Sequence, residues 1–222
     1  MNTLHWNKLI VSLDVDKKSA VNRIVEALPK VTIYKIGLIP FIMGGPALVE
    51  YLISKRKKVF LDLKFYDIPN TMSEALKIVM KQKIWGLTVH ASNTEDALRR
   101  LAETAQGVSL KNRPLIVGVT QLTSKAAGLS DILPLAQRAR DAGLSGVVAS
   151  AQEAAAIKQK TGKEFLVFTP GIRPAADQGK DDQKRVTTFS EALRNGADYM
   201  IVGRPIYKDA DYLKNAESVL RS

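Results

Sequence analysis

The chain has 222 residues, 45% hydrophobic and 25% charged, with a formal net charge of +11 and no cysteine. That length buries a substantial core, and the absence of cysteine excludes disulfides and thiolate metal sites. No apolar run approaches the roughly 18 residues of a membrane-spanning helix and the N-terminus lacks a secretory signal pattern, so a soluble cytoplasmic protein is expected.

From the N-terminus onward, short apolar, β-branched runs alternate with amphipathic stretches. Strands are expected at Leu9–Asp14, Ile33–Gly37, Val59–Leu63 and Gly86–His90, then at Leu115–Thr120, Gly146–Ala149, Phe165–Pro170 and Tyr199–Gly203. Helical segments between them fall at Ala20–Leu28, Pro46–Lys55, Met72–Lys81, Thr94–Ala105, Ile132–Ala142 and Ala151–Lys160. Continuously apolar strands separated by helices pair in parallel with both faces covered. Eight such units within residues 1–222 fit a single α/β domain, a compact (β/α)8 TIM barrel. A doubly wound open sheet is the alternative arrangement.

A barrel carries its functional groups at the C-terminal ends of its strands, and polar residues gather there. Asp14 ends the first run, Lys35 nearly ends the second, and Asp62 and Lys64 end the third. Thr123 follows the fifth, Arg173 the seventh, and Gly203 and Arg204 the eighth. The opposite ends carry Lys8, Lys30, Lys58 and Glu164, the pattern of solvated charge. The positive balance fits nucleic acid, an anionic small molecule or simple solubility. Its densest run, Lys55-Arg56-Lys57-Lys58, reads as a solvated turn, with no aromatic residues interleaved to stack bases. Neither nucleic acid nor a membrane is expected as partner.

The most specific segment runs from Asp62 through Thr71. Residues two apart on a strand share a face, so Asp62 and Lys64 project together. Asp67 follows just past the strand, where Pro69 and Asn70 open a helix. A lysine held between two carboxylates resists losing its proton. It suits a proton donor to a strongly basic carbon and suits a Schiff-base nucleophile poorly. A structural ion-pair network is the alternative, but such networks are costly to desolvate, and the position at the strand ends favours chemistry. Asp14 and Lys35, adjacent across the first two strands, read equally as a salt bridge or as a clasp for a sugar diol.

Gly203-Arg204-Pro205 has the form of a phosphate-binding corner. The long polar segment from Thr169 through Arg185, with Arg173, Lys180, Gln183 and Lys184, reads as a lid. His90 reads as a hydrogen-bonded structural residue rather than a base. No His/Asp/Glu spacing indicates a metal site, and no Ser-His-Asp set is visible.

Taken together, Ser12-Leu13-Asp14, Lys35-Ile36-Gly37, Asp62 through Thr71, Val89-His90-Ala91-Ser92 and Leu122-Thr123-Ser124 closely resemble the orotidine 5′-monophosphate decarboxylase family. Thr169 through Pro174, Asp182 through Arg185 and Val202 through Pro205 extend that resemblance over nearly the whole chain. The resemblance implies decarboxylation of orotidine 5′-monophosphate to uridine 5′-monophosphate, the last step of de novo pyrimidine synthesis, with no cofactor and no metal. It implies that Asp62 lies beside the substrate carboxylate and that Lys64 stabilises the C6 carbanion and protonates it, within an Asp62/Lys64/Asp67 network. It further implies a homodimer in which Asp67, Ile68 and Thr71 reach the neighbouring subunit's site.

Asp14 and Lys35 are then implied as ribose ligands and Thr123 as a partner of the pyrimidine amide edge. Pro170 joins the substrate-binding set, and Arg173, Gln183, Gly203 and Arg204 grip the phosphate under a lid over 171–185. Two departures stand out: Tyr66 where many relatives carry His, and Asn93-Thr94 in place of a Gly pair. Little effect on the chemistry is expected from either, and local loop geometry is left open. The rival reading is a magnesium-dependent sugar-phosphate decarboxylase or aldolase of the same superfamily, which needs an acidic metal ligand that the sequence does not place.

Overall fold

The computed structural model describes residues 4–122, 128–174 and 186–222. Strands β1 (Leu9–Ser12), β2 (Ile33–Ile36), β3 (Lys58–Phe65), β4 (Gly86–His90), β5 (Leu115–Val119), β6 (Gly146–Val148), β7 (Leu166–Thr169) and β8 (Tyr199–Val202) pair in parallel and close into a barrel. β8 returns to β1 through Leu9↔Met200 and Val11↔Val202. The architecture is the expected (β/α)8 barrel rather than the open sheet. Most strands end a residue or two before the expected positions, because the chain leaves the ladder to turn into the βα loop. β3 instead runs on to Phe65.

The period-two alternation of each strand sorts the core into two layers. Ile10, Ile33, Phe60, Val117, Phe168 and Ile201 point into the barrel, while the residues between them, such as Val11, Tyr34 and Leu61, pack against the helices. Inside, the rings of Phe60 and Phe168 stack with centroids 5.1 Å apart, and Trp85 and Tyr199 meet edge-on at 5.2 Å near the strand starts. Gly86 faces this stack, and a Cβ there would lie 2.8 Å from the Phe60 ring. The interior is therefore a solid plug, and any cavity must sit above it.

The helices follow the expected alternation with instructive shifts. α1 (Lys18–Ala27), α3 (Pro69–Met80), α4 (Glu95–Gln106), α5 (Leu129–Asp141) and α6 (Ala151–Thr161) match the expected segments to within a few residues at each end. α4 starts after Thr94 because that side chain accepts from the Ala97 amide, an N-cap rather than a helical position. α3 opens on Pro69, whose missing N–H costs nothing at a first turn. α2 (Leu38–Ser54) begins before Pro46, with its two halves meeting at Gly45, φ 48°. Pro40, Gly44 and Gly45 mask the first half from a reading of helix signals. α7 (Phe189–Arg194) and α8 (Arg204–Tyr207) are too short to show a helical period, whereas α9 (Tyr212–Arg221), which lies beyond the expected segments, buries Ala216, Val219 and Leu220 on one face.

Candidate active site

Two residues beyond the inward-facing layer, each strand presents its next inward residue to the barrel mouth. Ile10 leads to Ser12, Ile33 to Lys35, Phe60 to Asp62, Phe168 to Pro170 and Ile201 to Gly203, and all five of these second residues line a cavity of about 300 Å³. Asp14, Lys64, Arg173, Arg204 and Tyr207 complete its polar wall. The apolar plug thus becomes the floor on which the functional groups stand.

On that floor four ionisable groups alternate in sign. Ser12 Oγ donates to Asp14 Oδ2 at 2.6 Å, and Lys35 Nζ donates to Asp14 Oδ1 at 3.3 Å. Lys35 Nζ also lies 3.1 Å from Asp62 Oδ2. Lys64 Nζ donates to Asp62 Oδ1 at 3.0 Å. Lys35 and Asp62 are the buried middle of this row, while the Lys64 and Asp14 side chains are 33% and 44% exposed at its ends. Burial alone would raise the Asp62 carboxyl, but the charges of Lys35 and Lys64 and their hydrogen bonds outweigh it and hold its pKa below the ordinary carboxylate value. Asp62 is therefore an anion fixed between two cations.

A distortion of β3 places Lys64. The ladder to β4 runs through Leu61↔Leu87 and resumes at Phe65↔Val89, so Asp62, Leu63 and Lys64 stand opposite Thr88 alone. Lys64 takes φ 51° within this bulge, a left-handed conformation costing a side-chain-bearing residue roughly 1–2 kcal/mol. Thr88, fully buried, holds the distortion: its Oγ1 accepts from the Lys64 amide at 2.9 Å and donates to Asp62 Oδ1 at 2.9 Å. Strain of this kind persists only where surrounding contacts over-determine it.

The opposite wall is cationic. Arg173 is buried and its Nη1 donates to the Ile172 carbonyl at 2.9 Å. Arg204 follows Gly203 at the rim of the same cavity. Tyr207, one turn on, has its hydroxyl pushed up to about 12 by burial and by the charge of Asp14, so it remains a donor at neutral pH.

Asp14, Lys35, Asp62, Lys64, Pro170, Arg173, Gly203 and Arg204 are thus brought together as the sequence implies. Asp67, Ile68 and Thr71 are not: all three are exposed outside the cavity, and Asp67 Oδ1 accepts from the Ile68 amide at 2.7 Å. The expected flanking of Lys64 by two carboxylates does not form within one chain, because β3 continues to Phe65 and the chain then turns outward into α3. Thr123, Gln183, Lys180, Lys184 and Arg185 fall outside the described residues, as does most of the 171–185 lid. His90 meets the ring of Tyr66 edge-on, with centroids 5.5 Å apart.

Sequence reasoning overlooked Thr88 and Tyr207. Thr88 stands two residues beyond the inward Gly86, the same relation that Asp62 has to Phe60. Tyr207 stands three residues beyond Arg204, one helical turn. Among the described residues, no group of three His, Cys, Asp or Glu side chains is placed to hold a metal ion. No described helix is long and apolar enough to cross a membrane. A fixed ammonium at one end of the cavity and guanidinium groups at the other suit an anionic substrate that develops further negative charge as it reacts.

Comparison with known proteins bears on that substrate. Residues 7–219 match the family described as orotidine 5′-phosphate decarboxylase / HUMPS. A curated orotidine 5′-phosphate decarboxylase of Coxiella burnetii is 40% identical over 224 residues, 96% of this chain and 94% of that protein. One from Legionella pneumophila is 41% identical over 226 residues, 96% of this chain and 98% of that protein. The crystal structure of orotidine 5′-phosphate decarboxylase from Lactobacillus acidophilus superposes with a TM-score of 0.82 at 30% identity, covering 96% of this chain and 97% of that one.

Proposed function

The chain belongs to the orotidine 5′-phosphate decarboxylase / HUMPS family and acts as a carboxy-lyase on orotidine 5′-monophosphate in pyrimidine synthesis, and we propose that Lys64 carries its chemistry. The observation behind this reading is the Asp14–Lys35–Asp62–Lys64 row, which ends in an ammonium facing the cavity. The bond from C6 to the carboxylate breaks, CO2 leaves, and the electron pair stays on C6. No neighbouring carbonyl or cofactor delocalises that pair, so fixed positive charge in a site shielded from water must stabilise it. Lys64 Nζ supplies the charge and then donates its proton to C6, giving uridine 5′-monophosphate.

Asp62 aims Lys64 through the 3.0 Å contact of its Oδ1 with Nζ. Asp14 and Lys35 hold the ribose hydroxyls, one accepting and one donating. Arg173, Gly203 and Arg204, with Pro170 beside them and Gln183 from the 171–185 segment, grip the phosphate; Thr123 reads the pyrimidine amide edge. Binding energy from this remote phosphate drives closure and organisation at the reacting carbon. Residues 1–222 act as one catalytic unit, in the cytoplasm, where a chain without cysteine needs no disulfide.

The working form is a homodimer in which Asp67, Ile68 and Thr71 enter the neighbouring subunit's cavity and Asp67 supplies the second carboxylate beside Lys64. Exposed apolar residues on the first turns of α2 and on the turn before α3 support it: Ile39 is 55% exposed, Ile42 83%, Tyr66 63% and Ile68 65%. An apolar rim of this kind marks a contact surface.

Loss of orotidine 5′-monophosphate absorbance, followed with EDTA present, tests the reading on wild type and Lys64→Ala. Metal-independent turnover that falls by several orders of magnitude in the variant is the expected result. A folded wild type without turnover would redirect attention to magnesium-dependent sugar phosphates, and turnover surviving in Lys64→Ala would remove Lys64 from the mechanism.

A further inference from the structure

The turn between β3 and α3 is tied to the end of β4 and to the turn that follows it by two side-chain contacts. One is the edge-on packing of Tyr66 on His90. The other is made by Asn93, whose Nδ2 donates to the Asp67 carbonyl at 3.2 Å and lies 3.4 Å from Met72 Sδ. Asn93 is a rigid fixture. It is 7% exposed, its amide donates to the His90 carbonyl at 3.2 Å, and its Oδ1 accepts from the Thr94 amide at 2.8 Å. With a donor on one side and an acceptor on the other, the carboxamide has a single satisfied orientation.

Asp67 by contrast is exposed, and its carboxylate is held by the next amide of its own turn. The bond from Asn93 therefore fixes where the backbone of the Asp67 turn stands relative to the barrel.

We propose that Asn93 is a positioning residue for the active site of the neighbouring subunit, acting through the Asp67 backbone. The inference rests on the reading above that Asp67 serves the partner's cavity. Among the described residues, the hydrogen bonds of Asn93 go to His90, Asp67, Met72 and Thr94 and to none that lines its own chain's cavity, so its influence on catalysis passes across the dimer.

That direction of action is measurable with hybrid dimers. Asn93→Asp keeps the acceptor for the Thr94 amide but turns a carboxylate oxygen toward the Asp67 carbonyl, removing the clamp alone. Its homodimer is expected to lose roughly 10- to 100-fold in kcat, the scale of an ångström-level misplacement. In a hybrid of Lys64→Ala with Asn93→Asp, one site combines an intact Lys64 with an Asp67 held by an intact Asn93. Such hybrids, isolated from co-expressed chains bearing two different tags, are expected to recover half the wild-type turnover per dimer. Recovery of only half the Asn93→Asp homodimer's turnover would mean that Asn93 acts on its own chain's site, and would overturn the proposal.

The control is the hybrid of Lys64→Ala with Asp67→Asn. If that hybrid fails to recover half the wild-type turnover, the cross-subunit role of Asp67 falls and the Asn93 proposal with it. If it recovers while the Asn93 hybrid does not, the Asn93 proposal alone falls. Asn93→Ala is carried through the same hybrids, so that poor assembly of one variant leaves the other decisive. Wild-type kcat in both homodimers would also overturn the proposal.

Discussion

Lys35 and Lys64 bind opposite oxygens of one carboxylate, Lys35 Nζ at 3.1 Å from Asp62 Oδ2 and Lys64 Nζ at 3.0 Å from Oδ1. Two ammonium groups that share one carboxylate repel each other, and the anion between them offsets that repulsion, so Asp62 is what holds the two lysines together at the floor of the cavity. Removing it would leave Lys35, which is 7% exposed, with only the more exposed Asp14 as a counter-ion.

Because the Asp62 carboxyl titrates below its ordinary value in the folded chain, the native state binds fewer protons than the unfolded one near the unfolded pKa of about 3.9. Its contribution to stability is therefore complete above that pH and is lost as pH falls through the lower folded value. Wild type is expected to lose urea-unfolding free energy more steeply than Asp62→Asn between about pH 5 and pH 2. Parallel curves would show that the lysines do not stabilise the carboxylate.

The φ of 51° at Lys64 separates two variants that are equivalent in chemistry. Lys64→Ala removes the ammonium and retains a Cβ in the left-handed region, whereas Lys64→Gly removes both. The glycine variant is expected to be the more stable of the two by about 1 kcal/mol, read from urea midpoints at equal slope. Equal midpoints would place no strain at this residue.

Thr88 ties the Lys64 backbone to the Asp62 carboxylate. Thr88→Val keeps the shape but leaves a buried amide and a carboxylate oxygen short of a partner, at a cost of about 1–3 kcal/mol. It should lower kcat more than it raises KM, since it disturbs the reacting end of the cavity and not the phosphate end. Thr88→Ser, which keeps the hydroxyl, should restore most of kcat; failure to do so would point to packing rather than to the hydrogen bonds.

Two interior glycines differ in what a methyl group would meet. At Gly146 a Cβ would lie 2.3 Å from the Leu166 carbonyl oxygen, and at Gly86 2.8 Å from the Phe60 ring. A ring tilts and a strand backbone does not, so Gly86→Ala is expected to cost about 1–3 kcal/mol, as overpacking does, and Gly146→Ala distinctly more. Thermal midpoints in the reverse order would mean that β6 and β7 part more readily than the aromatic stack repacks.

Much of this architecture is written locally. Buried parallel strands are continuously apolar, so Leu9–Ser12 through Tyr199–Val202 announce themselves, and polar residues immediately after them mark the mouth of the barrel. Where local signals conflict, the reading slips: Pro40 and the Gly44-Gly45 pair hide the first half of α2.

The sequence by itself determined the barrel, the end of it that carries chemistry, and the residue types gathered there, because strand periodicity and helix signals act over a few residues. Only the tertiary structure decided that Lys35 answers Asp62 as well as Asp14, that three residues of β3 face Thr88, and that Asn93 anchors the Asp67 turn. Those contacts join residues more than twenty positions apart. They depend on the register in which β2, β3 and β4 pair and on a bulge that one strand alone does not announce, since register is settled by the closure of the whole barrel.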